Sequence, residues 1–124
     1  MFFSKKKKIK PLEISSLNFN QEIFESEEPI LLNFYADWCQ PCQVMKSLIS
    51  RLTKERGDSR GKICKVNLDA NPQIASMFGV RSVPNLLFIH KKKVHLRQTG
   101  LLPYGELSDI WNQFLKDLDD EIIV

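Results

Sequence analysis

Cysteine, histidine and long apolar runs are all scarce in this chain, and each scarcity closes off a class of protein. Three cysteines in 124 residues are too few for the disulfide frameworks of small secreted domains. Cys64, His90 and His95 stand at no spacing that would complete a four-ligand zinc site with the other two cysteines, so no metal is expected. No apolar stretch approaches the ~18 residues of a membrane-spanning helix. The basic start, Lys5 to Lys8 and Lys10, has no apolar region behind it and does not read as a secretory signal. A cytoplasmic address without stable membrane insertion is therefore expected.

The length suits one domain with a single core, and 43% hydrophobic with 27% charged residues is ordinary for a globular chain. The net charge of +3 is not a nucleic-acid signal. Five lysines in the first ten residues supply it, and without them the remainder sums to −2. No aromatic or glycine interleaving supports nucleic-acid contact. Residues 1–10 read as a solvated basic tail, 11–118 as the folded domain and 119–124, with Asp119, Asp120 and Glu121, as an acidic tail.

What the chain does contain is Ala36-Asp37-Trp38-Cys39-Gln40-Pro41-Cys42-Gln43. The apolar run Ile30, Leu31, Leu32, Phe34 and Tyr35 precedes it, and Met45, Leu48, Ile49 and Leu52 follow at helical spacing. Two cysteines thus sit where a strand gives way to a helix. Unpaired N–H groups and the positive end of a helix favour a thiolate there. A Cys-x-x-Cys pair serves zinc binding, a structural disulfide or redox exchange, and a neighbouring βαβ pattern favours the last. Cys39 is the candidate nucleophile; it is expected to be exposed, with Cys42 shielded.

Four stretches in one order resemble the thioredoxin family: Pro29 to Cys42, Lys65 to Pro72, Phe78 to Phe88, and Gly100. The likeness runs from about Ile14 to about Leu118. It implies an α/β fold with a mixed central sheet in the order β-α-β-α-β-α-β-β-α and helices on both faces. It also implies a protein-disulfide reductase acting in electron transport and cell redox homeostasis. Such a chain needs no cofactor, takes disulfide-containing proteins as substrates, draws electrons from a thioredoxin reductase and works as a monomer. A thiol oxidase or isomerase of an oxidising compartment is the nearest alternative, and a thioredoxin-like binding module with little turnover is the other.

Taken in order, Pro11 to Ile14 forms a first strand with Leu12 and Ile14 on one face, and Ser16 or Asn18 caps a helix through Phe19, Ile23 and Phe24. Pro29 opens a strand through Tyr35 whose near-continuous apolar character suits the middle of a sheet. Gly57 stops the helix after the cysteines. A strand over Ile63 to Leu68 buries Cys64 as a small hydrophobe. Asn71-Pro72 starts a short helix that Gly79 ends. Two strands around Lys91, Lys92 and Lys93 form a hairpin that lacks the usual turn residues. Pro103 opens a last helix with Tyr104, Leu107, Trp111, Phe114 and Leu118 facing inward.

The resemblance also implies site roles. Cys42 resolves the mixed disulfide; Trp38 flanks the nucleophile, beside Gln40 and Pro41. Pro84 is the cis-proline facing the cysteines, Val83 offers its backbone to an extended substrate, and Gly100 permits close approach. The chain departs from the family at four positions. Gln40 stands for a glycine, Ser47 for a helix-kinking proline, Ser82 for a groove glycine, and Asn33 for a buried aspartate beneath the resolving cysteine. An amide has no useful basicity, so Lys65 is expected to lose its charge partner and to discharge readily, and resolution by Cys42 to slow.

Overall fold

A computed structural model describes residues 10–57 and 59–123; the expectation for Lys5 to Lys8 lies outside the described residues. Strands β1 (Leu12–Ile14), β2 (Ile30–Tyr35), β3 (Lys62–Asn67), β4 (Asn85–His90) and β5 (Lys93–Thr99) form one sheet ordered β1-β3-β2-β4-β5. β3 runs parallel to β1 and β2, whereas β4 is antiparallel to β2 and β5. Helices α1 (Gln40–Arg56) and α3 (Tyr104–Ile123) cover one face, and α2 (Pro72–Phe78) the other.

The apolar run of β2 is central because it feeds both cores. Leu31 packs with Met45, Ile49, Phe88, Trp111 and Phe114, while Ile30, Leu32 and Phe34 pack with Ile23, Ile74 and Ala75. Trp111 is fully buried, its ring 6.5 Å from Phe88 and 5.9 Å from Phe114. Such aromatic pairs add about 0.5–1.5 kcal/mol each beyond burial. Cys64 is likewise sealed in the core.

Two expectations change here. The first helix is a single π turn, Asn20–Phe24, closed by Glu25 N–H donating to the Asn20 carbonyl at 2.8 Å. Its wider winding buries Ile23 and leaves Phe24 exposed. Leu12 and Ile14 share one face of β1, with Ile14 buried and Leu12 exposed near the start of an edge strand. Residues 119–123 are no separate tail, since they continue α3. Nothing in Asp119, Asp120 or Glu121 breaks a helix, and Leu118 still anchors that stretch in the core.

Ser47 leaves α1 uninterrupted for 17 residues. Gly57, at φ 56°, ends it by donating its N–H to the Thr53 carbonyl. The β4–β5 connection is a two-residue turn with Lys91 at φ 49° and Lys92 at φ 71°. Both lie in the left-handed region that the right-handed twist of a tight hairpin demands.

Candidate active site

Helix α1 begins where β2 ends, and Cys39 is its N-cap residue, with φ −91° and ψ 110°. Cys42 N–H donates to Cys39 Sγ at 3.2 Å. Pro41 fits the first turn, where a missing N–H costs nothing. Cys39 and Cys42 are joined as a disulfide, with Cα atoms 5.2 Å apart. The N-terminal position, the donated N–H and the short span are the features that stabilise a sulfur anion and let the pair close.

The expected exposure of Cys39 is corrected. It is 4% exposed and Cys42 2%, so the two sulfurs are shielded almost equally in the oxidised form. Ala36 packs on the pair, with Tyr35 and Val83 beside it. The Val83 carbonyl oxygen lies 3.8 Å from Cys39 Sγ. Antiparallel pairing of Phe34 with Asn85 brings this about, because it sets the end of β2 against the start of β4.

Around the disulfide, Trp38, Gln40, Pro41 and Ser82 are exposed, Val83 is half-buried and Pro84 is buried. The Val83–Pro84 peptide is cis. Trp38 is 70% exposed yet tethered, its Nε1–H donating to Asp69 Oδ2 at 2.7 Å. Gly100, at φ 86°, donates its N–H to the Pro84 carbonyl at 2.9 Å. A Cβ there would meet nothing within 4 Å. No clash within the chain requires glycine here, but its left-handed backbone favours one.

Behind the disulfide, Asn33 and Cys42 line a cleft of about 340 Å³ that also reaches Lys65. Asn33 is 4% exposed and its Oδ1 has no hydrogen-bond partner among the described residues. Lys65 is not stranded, which overturns the expectation of a lost charge partner. Its Nζ lies 3.6 Å from Glu13 Oε1 and 5.6 Å from the centre of the Tyr35 ring. The Tyr35 hydroxyl donates to Glu13 at 2.9 Å. Its pKa is pushed up to about 12, first by burial and then by that carboxylate, so it remains a donor.

The sequence reading missed Asp69, Glu13 and Tyr35 as partners of site residues. Glu13 meets Lys65 only because β1 pairs with β3, a strand order that no local pattern encodes. Among the described residues no group of three or more His, Cys, Asp or Glu could hold a metal ion, and no helix is long and apolar enough to cross a membrane.

The thioredoxin family model matches residues 10–113. A thioredoxin of Haemophilus influenzae is 38% identical over 104 residues, which cover 84% of this chain and 96% of that protein. One of Griffithsia pacifica is 39% identical over 105 residues, covering 84% and 94%. Among solved structures, an N21Q mutant thioredoxin from Halobacterium salinarum aligns with a TM-score of 0.76 at 25% identity, over 90% of this chain and 96% of that one. Matched over most of its length and carrying the paired cysteines at the expected strand-to-helix junction, the chain belongs to the thioredoxin family and is a thiol–disulfide oxidoreductase that reduces protein disulfides.

Proposed function

We propose that Cys39 attacks a disulfide in a substrate protein and that Cys42 then displaces the substrate from the resulting mixed disulfide. The single observation that carries this order is the Cys42 N–H donated to Cys39 Sγ at 3.2 Å, at the head of α1. That bond and the helix end both favour negative charge on Cys39, and among the described residues no equivalent bond is seen for Cys42. Two electrons pass from the dithiol to the substrate disulfide, leaving the Cys39–Cys42 bond and two substrate thiols. A thioredoxin reductase returns them.

The exposed rim formed by Trp38, Gln40, Pro41 and Ser82 receives the substrate, together with Val83, Pro84 and Gly100. Main-chain pairing at Val83 suits many sequences, since the backbone supplies the contact. Cys39 is shielded in the oxidised form, and a substrate strand paired at Val83 would lie next to its sulfur, which is 3.8 Å from the Val83 carbonyl oxygen. The chain acts as a monomer in the cytoplasm, within electron transport and redox homeostasis.

Trapping tests the order. A Cys42→Ser chain, incubated with a protein disulfide, is expected to hold a persistent adduct on Cys39, located by peptide mass spectrometry. No adduct at Cys39 would overturn the reading. Equilibration with glutathione fixes the direction: a reductase lies near about −270 mV, a strong oxidant near about −120 mV.

A further inference from the structure

The cleft behind Cys42 carries an unusual charge balance. Three lysines line it: Lys10 ahead of β1, Lys46 on α1 one turn beyond Cys42, and Lys65 on β3. Asp37 is the one carboxylate on its wall among the described residues. Glu13 stands behind Lys65 in a cross-strand row, Asn33 paired with Lys65 and Lys65 with Glu13. Tyr35 also lines the cleft, and its hydroxyl remains protonated and donates to Glu13. The floor at position 33 is neutral. Cations and neutral donors therefore outnumber anions around the resolving sulfur.

We propose that this cleft ionises Cys42 by its field: Lys10, Lys46 and Lys65, unopposed by any charge at Asn33, stabilise the thiolate while solvent takes the proton. The proposal rests on the Cys39–Cys42 cycle described above and reverses the expectation that the amide slows resolution. A carboxylate at position 33 would accept a proton, but its negative charge would also oppose a neighbouring thiolate. The amide accepts no proton, imposes no charge and adds two N–H donors on Nδ2. The Cys42 thiol gives its proton to water, and the thiolate attacks Cys39 sulfur in the mixed disulfide. The Cys39–Cys42 bond forms, and the substrate leaves as a thiolate that is protonated from solvent. Lys10, Lys46 and Lys65 are positioning residues in this scheme, because they act on the sulfur through space.

Titration of Cys42 in the reduced Cys39→Ser chain tests this without any turnover, by following its Cβ chemical shift by NMR from about pH 5 to about pH 10. Asn33→Asp is expected to move the midpoint upward by about one unit, so that the thiolate fraction at neutral pH falls about tenfold. Lys65→Met and the surface change Lys46→Met are expected to move it the same way by smaller amounts. Salt at about 0.5 M should blunt the lysine effects, since the cleft opens to solvent. A midpoint unmoved or lowered by Asn33→Asp overturns the proposal, as do lysine variants that leave it in place. Lys46 lies on an exposed helix face, so that variant gives a result even if the buried substitution fails to fold. Failure of the trapping experiment would leave this titration unchanged, so the two readings fall separately.

Discussion

Trp38 Nε1 donates to Asp69 Oδ2 across 2.7 Å, fixing a large exposed indole beside the disulfide. The acceptor comes from the turn after β3, 31 residues away. A tethered aromatic ring presents contact area without the entropy loss of ordering it on binding. Asp69→Ala is expected to raise KM for a protein disulfide about three- to tenfold, since an immobilised side chain is worth ~0.5–1.5 kcal/mol, and to leave kcat nearly unchanged. Asp69→Asn keeps an acceptor and should restore most of the loss. Steady-state kinetics of the two variants check this.

Gly61 faces Trp111 at the back of the sheet. A Cβ at Gly61 would lie 2.7 Å from Trp111 Cζ2, and the backbone there has φ 97°. Gly61→Ala is therefore expected to cost at least ~1–3 kcal/mol by overpacking, with backbone strain added. Urea unfolding should show a lower midpoint with an unchanged slope.

Lys91 and Lys92 occupy turn positions suited to Asn and Gly. An L residue in the left-handed region costs roughly 1–2 kcal/mol, some of which glycine avoids. Lys92→Gly is expected to stabilise the protein by about 1 kcal/mol and to raise Tm by a few degrees. Calorimetry on the single variant checks it, and activity should not change, because the turn lies at the far end of β4 from Pro84.

His90 has its pKa lowered, chiefly by burial. The unfolded chain then binds a proton at higher pH than the folded one, so stability is present above the unfolded value of about 6.5 and declines as pH falls below it. His90→Gln should flatten that decline in denaturation midpoints measured between about pH 7 and about pH 5.

These residues also mark what was legible in the sequence. The junction of β2 with α1, the stop at Gly57 and the burial of Trp111 and Cys64 follow from local patterns, because apolar spacing and cap chemistry act over a few residues. The partners of Lys65 and Trp38 do not. Glu13 and Asp69 are ordinary surface acids in sequence, and only the order of strands and the path of the β3–α2 turn give them roles. The shielding of Cys39 was hidden for the same reason, since Val83 reaches it from 44 residues away. The π turn at Asn20–Phe24 escaped because Phe19, Ile23 and Phe24 fit a helical stripe as well as a single wide loop of chain.

The pairing of Phe34 with Asn85 holds a further consequence. It is the last of five β2–β4 pairs that align two distant loops end to end, and a strand pair can shift only in whole-residue steps. A slip of one step would carry Val83 about 3.4 Å along the strand axis and reverse its facing. The same slip would turn Leu86, Leu87, Phe88 and Ile89 out of the cores they fill, so the packing that stabilises the sheet and the contact that sets the chemistry stand or fall on one register.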